Sequence, residues 1–207
     1  IWFCLVGSEM CIRDSSITVN PTAQVNAIDD QDLCEGEVTA PIEFTTTNTD
    51  GITTYEWTNT NPLIGLADSG IGNIPSFEVL NDAANSQNAI ITVTPTYTNN
   101  GVECTGPSET FVLMVNPGAQ VNPIDNQILC NDELTDPIQF TTLNTDGVTE
   151  YNWTNTNTSI GLPSAGTGDI GSFSVVNTST SAQSATITVT PTYTNNGVVC
   201  SGNPEQF

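Results

Sequence analysis

The sequence predicts an all-β chain of two tandem antiparallel β-sandwiches, on three observations. The chain repeats itself at a spacing of 96 residues, its apolar residues alternate with polar ones in short runs, and turn-forming residues bound those runs with no helical period between them. The stretch "ITVTPTYTNNGV" at 91–102 recurs letter for letter at 187–198, 96 positions later. The same shift aligns Cys34 with Cys130, Phe44 with Phe140, Trp57 with Trp153, Phe77 with Phe173, Cys104 with Cys200 and Phe111 with Phe207 without a gap, and about six positions in ten are identical. Solenoid units are roughly 20 to 50 residues long, so this period fits a complete domain strung in tandem.

Within each unit the strands follow in order. Ile42 and Phe44 alternate with polar neighbours, "NTDG" at 48–51 supplies a tight turn, and Tyr55 and Trp57 share one face, which together read as a hairpin. Phe77 and Val79 form a further strand. Ala89, Ile91, Val93 and Tyr97 line one face of the next, and Phe111, Leu113 and Val115 line the last, with Thr facing outward between them. The second unit repeats this with Ile138, Phe140, Tyr151, Trp153, Phe173, Val175, Ile187, Val189 and Tyr193, so Trp57, Trp153, Tyr97 and Tyr193 mark the two cores. About seven short strands around one central Trp suit a sandwich. Pro95 and Pro191 fall inside a strand pattern and are expected at a bulge or an edge, and "TNNG" at 98–101 is expected to turn a hairpin.

The register of the repeat gives the domain map. Residues 1–16 share nothing with the rest: "IWFCLVGSEMCIRD" lacks a basic leader, is too short to span a membrane, and contains "LVGSEMCIRDS", which resembles translated sequencing-adapter read-through. It is set aside as a foreign segment. Residues 17–20 end at the Asn of "NP" as residues 113–116 do, and read as the last strand of a preceding unit; residues 21–116 form the first repeat and 117–207 the second, which stops at the equivalent of Phe111 and lacks its last strand. The missing strand would leave backbone groups and an apolar strip uncovered, making the second unit the less stable one. Strand exchange, with residues 17–20 of another molecule filling the gap, is the self-association this predicts.

Charge narrows the partners. Twenty-three acidic residues stand against one basic residue, Arg13, with no Lys or His, for a formal net charge of −22. Nucleic acid and direct membrane insertion both fall away for want of a basic footprint. The absence of His and of a GxSxG motif removes the common catalytic triads, and the carboxylates that remain read as solvated turn residues rather than as a glycosidase pair.

Two candidate sites remain. Setting aside Cys4 and Cys11, each unit holds one pair of cysteines 70 residues apart, Cys34 with Cys104 and Cys130 with Cys200. Intra-unit disulfides are the first reading, implying an oxidising, extracytoplasmic compartment; the alternative is that the two cysteines of a unit lie at opposite ends of the sandwich and do not bond. The acidic cluster Asp29, Asp30 and Asp32, with Asp125 and Asp132 in the second unit, offers oxygen ligands for calcium, the one candidate cofactor. Its spacing departs from an EF-hand loop, and Asp turns without metal are the competing reading. Tyr55, Trp57 and Phe77 fit core positions better than an exposed glycan platform.

The elements YxW, IGL, GxG, SF, ITVTPT, CxG and VNP recur in order across residues 17–207. In them the chain resembles the PKD-like immunoglobulin-fold repeats of large bacterial surface proteins, including gliding-motility adhesins. The resemblance implies immunoglobulin-like sandwiches with no catalytic residue, acting as spacer or adhesion modules of a secreted or cell-surface protein. The partners it implies are neighbouring repeats of the same polypeptide, surface glycans or other cell-surface proteins. The WDFGDG signature of better-known PKD domains is replaced by "WTNTN" at 57–61. A glycan- or calcium-binding accessory module of a secreted hydrolase is the alternative function.

Overall fold

The computed structural model describes residues 16–207. The foreign-segment expectation, with Cys4 and Cys11, therefore falls outside the described residues except for Ser16. The first unit contains β1 (Gln31–Cys34), β2 (Ile52–Asn59), β3 (Ser69–Ile71), β4 (Gln87–Asn99), β5 (Val102–Thr105) and β6 (Glu109–Asn116). The second contains β7 (Val148–Asn155), β8 (Ala165–Thr167), β9 (Ile187–Asn195), β10 (Val198–Ser201) and β11 (Glu205–Gln206).

The main sheet of the first unit runs β1-β6-β4-β2-β3, with β5 paired to the far end of β4. All its pairings are antiparallel except β1 with β6. A second layer of extended chain lies across it, joined by single bridges between Val38 and Glu78 and between Ile42 and Ile74. The core sits between the layers: Trp57, Ile91, Val93, Phe111, Leu113 and Val115 project from the sheet to meet Ile42, Phe44, Ile74 and Val79. Alternation along β4 and β6 puts every second residue into this core, as their sequence pattern predicts. The second unit repeats the arrangement around Ile138, Phe140, Trp153, Ile170, Ile187 and Val189. Both units are immunoglobulin-like β-sandwiches.

Two local expectations change. Residues 42–45 do not form a hairpin with β2. Ile42 bridges to Ile74 in the second layer, while β2 pairs with β3 and β4, so "NTDG" carries the chain from one layer to the other. The Tyr97 hydroxyl holds that crossover by donating to the Thr49 carbonyl at 2.8 Å. Gly51 is required there, because a Cβ would overlap the Tyr97 ring. Tyr193 does the same for Thr145 at 2.6 Å. Nor is Pro95 at an edge or a bulge. It lies opposite Tyr55 in the middle of β4, at the point where the other flank passes from β6, which pairs up to Val93, to β5, which pairs from Thr96. A missing N–H is tolerated in that gap between partners. The "TNNG" hairpin forms as expected, with Asn100 at φ 49° and Gly101 at φ 77°, the positive pair of a type I′ turn.

The units differ at one edge. In the first, Gln87 to Ile90 pair with Val115 to Val112, and β1 adds in parallel on the outside of β6. In the second, β9 begins at Ile187, β11 has two residues, and the 127–130 segment is not a strand. Glu205 to Phe207 pair with β9 as Glu109 to Phe111 pair with β4, and the place that residues 112–116 of β6 fill in the first unit is here an open groove of about 700 Å³ whose lining includes Leu129, Ile138, Phe173, Ile187 and Phe207. Hydrogen exchange is expected to be at least about tenfold faster at residues 183–186 than at 87–90, since unpaired backbone opens more readily. Equal protection of the two segments by mass spectrometry would show that the groove does not weaken the second unit.

Candidate functional site

The junction between the units is where the chain concentrates its unusual chemistry. It begins with "VNP" at 115–117, where β6 ends and the linker enters the second unit. Asn144, of the second "NTDG", accepts from the Gln120 backbone N–H at 2.7 Å and donates to the Gly118 carbonyl at 3.1 Å. On the other side the linker runs against β10. A Cβ on Gly202 would collide with the Ala119 carbonyl, so the glycine of the CxG element is what lets the linker pass this close. Ala119, Tyr193, Cys34 and Cys200 close the cluster, all buried.

Asn116, the last residue of β6, is fully buried and hydrogen-bonded through both its amide nitrogen and its amide oxygen. Its amide nitrogen donates to Asp32 at 2.6 Å, and its oxygen accepts from Ser86 at 2.7 Å and from Asn195 of the second unit at 3.0 Å. Asn195 also donates to Ser86 at 2.8 Å. A buried amide must be paired in this way or it costs stability. Asp32 is exposed overall, but partial burial of its carboxyl against Asn116 lifts it above its ordinary pKa, and the bond from Asn116 partly opposes the shift.

The covalent element is a disulfide between Cys34 at the end of β1 and Cys200 on β10, with a Cα–Cα distance of 5.5 Å and a sequence separation of 166. This corrects the intra-unit pairing. Cys34 lies at the end of its unit that meets the next, whereas Cys104 lies in the β4–β5 hairpin at the other end; Cys104 and Cys130 are free. In the chain-entropy account, closing a loop of this length restrains the unfolded chain by about 5 kcal/mol.

The remaining candidates do not assemble into a site. Asp29, Asp30, Asp32, Asp125 and Asp132 are all exposed, and among the described residues no group of three or more acidic, Cys or His side chains is placed to hold a metal ion. Three of them have structural roles in the fold. Asp30 accepts from the Val112 N–H at 2.6 Å, Asp32 holds Asn116, and Asp132 adopts φ 67° where the first unit has Gly36 at φ 80°. Trp57 and Trp153 are 7% exposed, Tyr97 1% and Tyr193 0%. Tyr55 is buried and Phe77 packs against the core, leaving no aromatic platform from these three.

Sequence reasoning missed Asn116, Ser86 and Asn195. The signal was present in part: Asn116 and Asn195 recur 96 residues earlier as Asn20 and Asn99, and that earlier pair is also in contact, with Asn99 donating to Asn20 at 3.1 Å. The linker clamp recurs too, since Asn48 accepts from Gln24 and donates to Thr22.

No protein-family model matches the chain, and no curated protein matches it. Among solved structures it is similar to the chicken CNTN1 FN1-FN3 domains, at 8% identity and a TM-score of 0.33, covering 91% of this chain and 64% of that one. It is also similar to the human Desmocollin-1 ectodomain, at 11% identity and a TM-score of 0.30, covering 92% of this chain and 37% of that one. The chain thus spans less than two thirds of the length of either, and likeness at this level adds nothing to the strand pairing that defines the fold. The strand pairing and the two cores make the fold two tandem immunoglobulin-like β-sandwiches, with residues of both at their junction.

Replacing Gly202 by Ala is expected to destabilise the second unit by about 1–3 kcal/mol through overlap with Ala119, measured by chemical denaturation. An unchanged midpoint would remove the close-approach argument. For Asp32 the sign follows from a folded pKa above the unfolded one: over the window just above about pH 4 the folded state keeps a proton that the unfolded state has lost, so stability falls as pH rises through it. Asp32→Asn keeps the acceptor oxygen and is expected to flatten that slope in a melting-temperature series.

Proposed function

We propose that this chain is a non-catalytic structural segment, acting as spacer and adhesion module, of a large secreted or cell-surface bacterial protein. The observation that carries the reading is the junction. A flexible tether between domains needs only a polar linker, whereas here a linker pinned to both units, a buried amide network and a disulfide hold the second unit against the first. That is the construction of a semi-rigid rod. The disulfide fits an oxidising, extracytoplasmic setting. The ordered YxW, ITVTPT, CxG and VNP elements that resemble PKD-like repeats of gliding-motility adhesins support the bacterial surface assignment. A net charge of −22 keeps such rods apart and soluble.

Two measurements test this. In small-angle scattering the oxidised chain is expected to show one maximum dimension, matching two units in fixed contact, and reduction is expected to broaden the distribution. When the ends are pulled, the oxidised chain is expected to hide the span from Cys34 to Cys200, a sequence separation of 166, and reduction is expected to release about 55–60 nm of additional contour at roughly 3.3–3.6 Å per residue. A chain equally flexible in both states would exclude a spacer built on this junction.

A further inference from the structure

The β9–β10 hairpin that docks on the first unit carries a chemically reactive pair at its tip. Asn-Gly occurs twice in the chain, at 100–101 and 196–197, inside the repeated "TYTNNGV". An asparagine followed by glycine is able to close a five-membered ring, in which the glycine backbone nitrogen attacks the side-chain carbonyl carbon. Glycine opposes this least, because it has no side chain to crowd its own nitrogen and turns freely. In a folded protein the reaction then depends on how firmly the pair is held.

At 196–197 little holds it. Val198 pairs with Asn195 across the turn, so Asn196 and Gly197 lie outside the ladder, and both are exposed. A Cβ on Gly197 would meet open space. Among the described residues the Asn196 amide nitrogen reaches only the Met114 sulfur, at 3.8 Å, and a thioether is a weak acceptor. Asn195 beside it is tied to Ser86 and Asn116, and is followed by Asn rather than Gly. Asp146 and Gly147 could close the same kind of ring, but a Cβ on Gly147 would overlap the Tyr193 ring and the Thr194 carbonyl, so that backbone has no room to turn.

We propose that Asn196 is a site of spontaneous deamidation and that its conversion loosens the junction. The Gly197 nitrogen gives up its proton to water and bonds to Cγ of Asn196, and the side-chain nitrogen leaves as ammonia. Water then opens the succinimide at either carbonyl, giving aspartate or isoaspartate, in which the main chain runs through Cβ and Cγ. One water is consumed and one ammonia released, with no oxidant or cofactor. Both products act on the face that meets the first unit. Asp32 is the register partner of Met114 and accepts from Asn116, which projects from the same face of β6 as Met114. Conversion replaces a donor at Met114 with a carboxylate near Asp32, and like charges side by side repel. Isoaspartate also lengthens the turn between Asn195, in the buried network, and Cys200, in the disulfide. The inference goes beyond the spacer reading and does not rest on it, because it assigns a modification to the chain itself.

The test incubates the full oxidised chain in mildly alkaline buffer at physiological temperature, with peptide mapping that separates asparagine, aspartate and isoaspartate. Asn196 is expected to convert several-fold faster than asparagines not followed by glycine. Asn196→Gln keeps an amide but needs a larger ring, and is expected to abolish conversion at 196. For the consequence, Asn196→Asp is expected to raise hydrogen exchange at residues 115–120 by about threefold or more, whereas Asn100→Asp, in the hairpin at the other end of the first unit, leaves it at the parent rate. The modification is overturned if Asn196 survives as long as asparagines not followed by glycine. The loosening is overturned if Asn196→Asp exchanges at 115–120 as the parent does. A freshly prepared chain that scatters as a rod leaves the proposed function standing in either case.

Discussion

The structure turns on how the linker after β6 is held. A strand that ends with an unpaired polar residue in the interior would be costly, yet Asn116 ends β6 fully buried. It is tolerated because both units bring partners to it, Asp32 and Ser86 from one side and Asn195 from the other. The position of Asn195 depends on the β9–β10 hairpin, that of the linker depends on Asn144 and Tyr193, and that of Cys34 depends on the pairing of β1 with β6. Neither unit alone satisfies this set of groups, so the junction is a product of both folds rather than a flexible string between them.

Much of the fold was legible in the sequence because period-2 alternation is a direct record of which face is buried. Ala89, Ile91, Val93 and Tyr97 on β4, and Phe111, Leu113 and Val115 on β6, point inward as their spacing requires. The Asn-Gly hairpin was legible because few residue pairs accept two positive φ angles. The crossover at "NTDG" was not. A tight-turn sequence looks the same whether the next strand pairs beside the last or crosses to another layer, and the deciding contact comes from Tyr97, 48 positions away.

The cysteines show the same limit more sharply. Identical spacing within each repeat favours pairing within the repeat, because a sequence compared with itself carries no information on which end of a domain each residue occupies. Cys34 and Cys104 lie at opposite ends of the first unit, and the true partner is in the next unit. The acidic residues were read as either calcium ligands or turn formers. The structure spreads them over exposed turns and gives Asp30 and Asp32 hydrogen-bonding roles beside β6, where they secure the parallel edge strand.

The Cys34–Cys200 bond spans most of the described chain, and the two free cysteines among the described residues, Cys104 and Cys130, lie inside the loop it closes. A protease that cuts an exposed turn between residues 34 and 200 therefore produces two pieces that remain one molecule. If each repeat were bonded to the next in this way, successive covalent loops would overlap, every position between the first and last bond would lie inside at least one loop, and a single cleavage there would sever nothing. Continuity of such a chain under proteolysis would then depend on reduction of its bonds rather than on the resistance of any one turn.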